Sequence, residues 1–478
     1  MSAVRDDTLT SPAGDPHHVV ILGGGPGGYE AALVARRRGA RVTVVERHGL
    51  GGAAVLTDVV PSKTLIATAE WLTIAEAAPE LGIRDGGARY DVDLGAVNTR
   101  VLALAAAQSA DIRARLVREG VEVVTGTGRL DGPARVVVAT GQGTETVLDA
   151  DSILLAVGAT PRILPTAVPD GERILTWTQL YQLHALPERL IVVGSGVTGA
   201  EFAGAYHALG CDVVLVSSRD RVLPGEDEDA AALLEDVFRG RGMTVMSRSR
   251  AASAERTATG VAVTLSDGRV VEGSHVLLAV GGVPSTGGLG LEGAGVALSE
   301  SGHVVVDKVS RTSVRGVYAA GDCTGVLPLA SVAAQQGRIA MAHALGDAVE
   351  PLRLGTVAAN IFTAPEIATV GYSEKHLADH GLRYITTTLP LARNPRAKML
   401  GMRDGFVKLF AHPEAGVVLG GVVVAPRASE LIFPITLAVA HRLTVDDVAG
   451  SFTVYPSLSG SVAEGARVLH DRLMPDGA

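Results

Sequence analysis

Two stretches of this chain are copies of one another. Val19 to Arg47 reads VVILGGGPGGYEAALVARRRGARVTVVER, and Leu190 to Arg219 reads LIVVGSGVTGAEFAGAYHALGCDVVLVSSR. They superpose without a gap, Gly23 falling on Gly194, Gly25 on Gly196, Gly28 on Gly199, Glu30 on Glu201 and Gly39 on Gly210. Each copy runs as an apolar strand, a G-x-G-x-x-G turn, an Ala-rich helix, a glycine stop and a second apolar strand. That order is the βαβ setting in which the glycine pattern carries meaning. The duplication predicts an α/β chain with two Rossmann-like dinucleotide-binding domains.

The glycines have separate physical tasks. The first permits a tight turn, the second lets backbone N–H groups approach a pyrophosphate, and the third lets helix and strand pack closely. The helix N-terminus adds partial positive charge. The copies differ at the end of the second strand. Glu46 closes it in the first copy, placed to accept hydrogen bonds from an unphosphorylated ribose. The second copy has Ser217 there, followed by Ser218, Arg219 and Arg221. A carboxylate repels a 2′-phosphate, whereas hydroxyls and guanidinium forks attract one. The first site therefore suits FAD or NAD and the second suits NADPH, unless Arg219 and Arg221 are ordinary surface charge.

Further strand ends extend the pattern. DSILLAVGATPR (Asp151 to Arg162) and SHVLLAVGGVPS (Ser274 to Ser285) each run as a buried strand into a glycine turn, with Gly158 and Gly282 as candidate nucleotide contacts. TSVRGVYAAGD (Thr312 to Asp322) is another buried strand ending in Gly321 and Asp322, whose carboxylate suits a polyol hydroxyl. A helix is expected from about Ala330. Glycine supplies 58 of 478 residues, well above the roughly 7% usual for soluble chains. Such an excess fits many tight βα turns.

Composition removes several function classes. The mean hydropathy of +0.28 raises the question of a membrane span. No uninterrupted apolar run reaches the roughly 18 residues a spanning helix needs. A net charge of −9 with dispersed Lys and Arg gives no basic face for nucleic acid. The first 16 residues are polar and Pro/Gly-containing, so a disordered tail is expected there; without the apolar core of a secretion signal, the expected location is cytoplasmic. Cys211 and Cys323 are the two cysteines, far apart and outside any metal-ligand spacing, so neither a disulfide framework nor a metal site is expected.

Taken together, the two fingerprints, the AVGATP crossover, the T-x6-AAGD motif and IFTAPEIATVGYSE (Ile361 to Glu374) resemble the class I flavoprotein disulfide reductases, the family of dihydrolipoamide dehydrogenase and glutathione reductase. The resemblance spans essentially residues 17 to 470. It implies an FAD domain (17–155, completed by 284–352) split by an inserted NAD(P) domain (156–283), then an α+β dimerisation domain (353–478) and a homodimer. It places FAD on Gly23, Gly25, Gly28, Glu46, Gly51, Gly52, Lys63, Gly128, Gly158, Gly321 and Asp322. The nicotinamide nucleotide, NADPH or NADH, falls to Gly194, Gly196, Gly199, Glu201, Ser217, Ser218, Arg219 and Gly282. It also implies that Lys63 and Glu201 form a pair beside flavin N5.

The departures from that family decide the expected chemistry. Its redox segment reads G-G-T-C-x4-C-x-P-S-K, but here the run is GGAAVLTDVVPSK, with Ala54 and Val59 in the thiol positions. Its C-terminal H-P-T-x-x-E signature supplies an acid–base pair, but here the run is YPSLSG, with Tyr455 at the His and Gly460 at the Glu. Both halves of the thiol chemistry are missing together. GGAAV before PSK and VYPSLSGS near the C-terminus are similar to the thiol-less flavoproteins of actinobacteria described as NAD(P)H quinone reductases. The expected activity is NAD(P)H to FAD to a quinone, with Tyr455 either donating a hydrogen bond to the acceptor or packing at the dimer seam. Two alternatives stand beside it: a flavin-mediated pyridine-nucleotide transhydrogenase, and a non-catalytic redox sensor or complex subunit.

Overall fold

The computed structural model describes residues 16–83, 90–141 and 143–473. The disordered tail expected over residues 1–16 falls outside them except for Pro16. Contacts gather the chain into two compact units. One comprises Met1–Leu56, Ala106–Thr160 and Val283–Leu352, the other Thr57–Ala105, Pro161–Gly282 and Arg353–Ala478.

The first unit is built on a five-stranded parallel sheet in the order Val317–Ala319, Ser152–Leu155, His18–Leu22, Arg41–Glu46, Glu122–Thr125. Its central strand, HVVIL, is buried from Val19 to Leu22, as a strand covered on both faces must be. Helix Pro26–Arg37 packs against helix Ala330–Ala344, which begins where the sequence predicts. Their approach is close: a Cβ on Gly337 would lie 2.0 Å from the carbonyl oxygen of Gly27. A three-stranded antiparallel meander (Thr127–Leu130, Arg135–Ala139, Glu145–Asp149) precedes the strand Ser152–Leu155.

The second unit repeats this plan. Its parallel sheet runs Thr244–Met246, Asp212–Val216, Arg189–Val193, His275–Leu278, Ile174–Thr176. The registers match as the sequences do: His18 pairs with Arg41 and Arg189 with Asp212, while Val19 pairs with Ser152 and Leu190 with His275. A second meander (Ala251–Arg256, Val261–Leu265, Val270–Gly273) precedes His275–Leu278, so the duplication reaches beyond the fingerprints.

The same unit holds a five-stranded antiparallel sheet, Ala358–Ile361, Glu366–Gly371, Val418–Ala425, Phe406–Ala411, Ile385–Pro390. Helices Phe433–His441 and Gly460–Leu473 pack on it. Among the described residues no helix is long and apolar enough to cross a membrane.

Candidate active site

Both glycine turns have the geometry their sequences demand. Gly23 and Gly194 sit at φ +98° and +110°, the left-handed region that favours glycine. A Cβ on either would stand 2.2 Å from a carbonyl oxygen, of Ala156 or Ala279. A Cβ on Gly28 or Gly199 would stand 1.9 or 1.8 Å from the oxygen of Gly23 or Gly194, so helix and turn touch there. Gly25 and Gly196 face open space, nothing lying within 4 Å of a Cβ built on them. Each is the N-cap of its helix, and neither helix has an acidic residue in its first turn. Each turn thus leaves open the face where a pyrophosphate would meet free N–H groups and the helix dipole.

Around the first turn, Glu46 is fixed by the backbone. Its Oε2 accepts from the N–H of Gly24 at 2.7 Å, and its Oε1 from those of His48 at 2.7 Å and Gly49 at 3.3 Å. Gly51 (φ +91°) and Gly52 (φ +57°) fold the chain back on the turn. The N–H of Gly51 donates to the oxygen of Gly24 at 2.8 Å, and a Cβ on Gly52 would lie 2.9 Å from the Cα of Gly25. Gly158 is a left-handed residue with open space at its Cα. Gly128 is buried in its strand against the Leu22 side chain, so the constraint seen at that position is packing. Asp322 follows Gly321, which is held at φ +83°. Burial pushes the Asp322 carboxyl above the usual range, the nearby His303 opposing, and among the described residues its side chain accepts no hydrogen bond. A half-buried carboxylate that accepts no hydrogen bond among the described residues fits the polyhydroxylic portion of a flavin dinucleotide.

Sequence reasoning missed what holds that loop. The Gln336 side chain, 1% exposed, takes the N–H of Gly321 on its Oε1 at 2.8 Å and gives its Nε2 to the Thr324 hydroxyl at 3.3 Å. A polar residue amid the buried face of an Ala-rich helix is the available signal.

The second turn differs from the first. Ser217 stands where Glu46 stands in the first copy, but it is fully buried and its hydroxyl is spent internally. Its Oγ lies 2.7 Å from the Ser195 Oγ and accepts from the N–H of Arg219 at 3.1 Å. Ser195 occupies the place of Gly24, so its hydroxyl captures the neighbour that sequence reasoning aimed at a phosphate. Ser218, Arg219 and Asp220 are exposed at this corner. Arg221 is paired with Glu228 and Arg248 with Asp220, whereas the Arg219 guanidinium makes no ion pair among the described residues. Gly282 is the exposed first residue of the short strand Gly282–Pro284.

Lys63 and Glu201, far apart in sequence, form the expected pair. Lys63 Nζ donates to Glu201 Oε2 at 2.6 Å, their side chains 25% and 4% exposed. The remaining oxygen of Glu201 accepts from the backbone N–H of Phe362 at 2.8 Å, and Lys63 Nζ lies 4.9 Å from the centre of the Phe362 ring. Sequence reasoning did not single out Phe362, although it lies in the IFTAPEIATVGYSE motif.

Tyr455 is largely exposed, as are Phe452 and Val454. In place of an acid–base pair, the following serines serve the fold: the Ser457 hydroxyl accepts the N–H of Gly460 at 3.1 Å where helix Gly460–Leu473 begins. Asn394 Nδ2 ties down the Ser457 carbonyl at 3.0 Å. Cys211 and Cys323 are buried, and burial pushes their thiols up to about 12 and about 11.

Comparison with known proteins agrees with this arrangement. Residues 17–337 match the model of the pyridine nucleotide-disulphide oxidoreductases, and residues 357–466 match that family's dimerisation domain. The chain is 55% identical to the NAD(P)H dehydrogenase (quinone) of Mycobacterium tuberculosis, over 95% of this chain and 94% of that one. It is 33% identical to the dihydrolipoyl dehydrogenase of Chlorobaculum parvum, over 94% and 96% of the two chains. Among solved structures it is similar to LpdA from Mycobacterium tuberculosis, with a TM-score of 0.91 at 55% identity over 95% of this chain and 99% of that one. The fold is shared by the HOCl-induced flavoprotein disulfide reductase RclA from Escherichia coli, with a TM-score of 0.84 at 23% identity over 95% and 100%. The duplicated nucleotide turns, the Lys63–Glu201 pair and the full-length matches lead to one conclusion: this chain belongs to the pyridine nucleotide-disulphide oxidoreductase family.

Proposed function

We propose that this chain is an FAD-dependent NAD(P)H:quinone oxidoreductase, acting as a homodimer and without a redox disulfide. The observation that carries the reading is the intact Lys63–Glu201 pair, at 2.6 Å, in a chain whose thiol positions hold Ala54 and Val59. A similar protein in Mycobacterium tuberculosis bears the name NAD(P)H dehydrogenase (quinone), and the chain's match to the dimerisation domain supports a dimer.

FAD, when bound, would supply the two-electron chemistry that links hydride from the nicotinamide to reduction of the acceptor by two electrons and two protons. The chain's residues supply binding, orientation and charge. In this reading the turn at Gly23, Gly25 and Gly28 holds the flavin pyrophosphate, while Glu46 and Asp322 orient hydroxyls. The turn at Gly194, Gly196 and Gly199 holds NAD(P)H, and Ser218 and Arg219 meet a 2′-phosphate. Lys63 contributes a fixed positive charge that favours electron density on the reduced ring. Glu201, held by Lys63 and the Phe362 N–H, keeps that ammonium in one place. Tyr455 donates its O–H to a carbonyl oxygen of the acceptor, in the position where the family has a histidine. Cys211 and Cys323 are unsuited to relay electrons, because buried thiols well above neutrality carry almost no thiolate.

The test is a steady-state acceptor panel with NADPH and NADH on the purified protein. Turnover with soluble benzoquinones and naphthoquinones, and none with lipoamide or glutathione disulfide, is the expected result. Transfer to an NAD⁺ analogue without quinone turnover would replace this reading by transhydrogenation.

A further inference from the structure

Phe362 touches both members of the Lys63–Glu201 pair, by two different atoms and two different forces. Its backbone N–H donates to Glu201 Oε1 at 2.8 Å, which leaves Oε2 to take the Lys63 ammonium at 2.6 Å. Its ring centre lies 4.9 Å from Lys63 Nζ, within cation–π range. A carboxylate alone would let the flexible four-carbon lysine stem swing around the contact. A carboxylate on one side and an aromatic face on the other restrict it to far fewer rotamers.

Phe362 is itself held firmly. It directly follows strand Ala358–Ile361, whose last residue pairs with Ile367 across the turn. Beside it, the buried Thr363 donates its hydroxyl to the carbonyl of Pro365 at 2.7 Å, closing the turn on itself. The ring is therefore presented by a rigid corner of the antiparallel sheet, in the segment matched to the dimerisation domain.

We propose that Phe362 is a positioning residue for electron transfer: its ring and its N–H together fix the Lys63 ammonium, and through it the reduction potential of the bound flavin. The inference rests on the reading above that Lys63 is the charge acting on the flavin ring. Phe362→Leu removes the π face but keeps the N–H, so Glu201 retains its donor while the ammonium gains freedom.

The experiment is equilibrium dye titration of the FAD-loaded protein. It compares wild type, Phe362→Leu, Phe362→Tyr, Lys63→Gln and the Phe362→Leu/Lys63→Gln double variant. Phe362→Leu is expected to lower the ratio of reduced to oxidised flavin at a fixed poise about tenfold, which is about 30 mV for a two-electron couple. Phe362→Tyr, which keeps the face, should stay at the wild-type potential, and the double variant should match Lys63→Gln alone. If Phe362→Leu does not fold, Phe362→Met removes the face at similar volume and takes its place. A wild-type potential in Phe362→Leu with a lowered one in Lys63→Gln overturns the role of Phe362. A wild-type potential in Lys63→Gln overturns the reading beneath it instead.

Discussion

Replacing Lys408 by Met should destabilise the protein by about 3 kcal/mol, at the lower end of the range for breaking a buried ion pair. Lys408 lies in strand Phe406–Ala411 with a side chain 4% exposed. Its ammonium reaches Asp227 at 2.9 Å, Asp229 at 2.8 Å and Glu374. Asp229 and Glu374 are open enough to be rehydrated when the cation goes, but the Asp227 side chain is 3% exposed. Asp227 would be left as an unpaired buried carboxylate, softened by the two N–H groups of Asp229 and Ala230 that it caps. That residual solvation is the reason for choosing the lower end. Met conserves the apolar stem, so packing loss adds little. The assay is urea unfolding of wild type, Lys408→Met and Lys408→Met/Asp227→Asn, with Asn keeping an oxygen for the cap. The double variant should recover most of the loss because the orphan charge is gone. Burial alone would lower the Lys408 pKa, but hydrogen bonds from its ammonium to Asp229, Glu374 and Asp227 prevail and hold it above the ordinary lysine range. A folded value above the unfolded one means that this stabilisation is fully present below about pH 10 and fades as pH climbs through the folded value. The gap between wild type and Lys408→Met should thus stay level from neutrality to about pH 10. A Lys408→Met protein as stable as wild type, or a double variant no more stable than Lys408→Met, would refute this.

Gly337→Ala puts a methyl 2.0 Å from the Gly27 oxygen, so the two helices must part; a stability loss of about 1–3 kcal/mol and weakened FAD retention, read by ultrafiltration, are expected. Ser195→Gly/Ser217→Glu recreates the first copy's Gly24–Glu46 arrangement in the second, and should lower kcat/KM for NADPH roughly ten- to a hundredfold while sparing NADH. Equal losses with both nucleotides would show that this corner does not read the 2′ position. In the native protein neither Cys211 nor Cys323 should react with a thiol reagent at neutral pH, and both should react after denaturation.

The parts of the fold that could be read in advance were those written in short-range pattern. The two βαβ units announce themselves because a G-x-G-x-x-G turn admits few alternatives at Gly23, Gly28, Gly194 and Gly199, where a Cβ would meet backbone. The helix after Asp322 starts at Ala330 as expected, at the head of an Ala-rich run that follows the strand-end motif by a short turn. Contacts between distant segments were not readable. Ser217 turned inward because Ser195, between the fingerprint glycines Gly194 and Gly196, offered a hydroxyl at 2.7 Å. Phe362 meets Glu201 only once the antiparallel sheet is folded, and nothing in the strand FVKLFA names Asp227 as the partner of Lys408. Such pairings depend on how whole layers pack, which residue patterns do not encode locally.

Electrons should leave the flavin without passing through a disulfide, and anaerobic reductive titration is the direct test. With Ala54 and Val59 in the thiol positions, dithionite should deliver two electrons per FAD with no long-wavelength thiolate-to-flavin band, and one equivalent of a quinone should restore the oxidised spectrum. Uptake of four electrons per FAD, with a charge-transfer band at the halfway point, would contradict it.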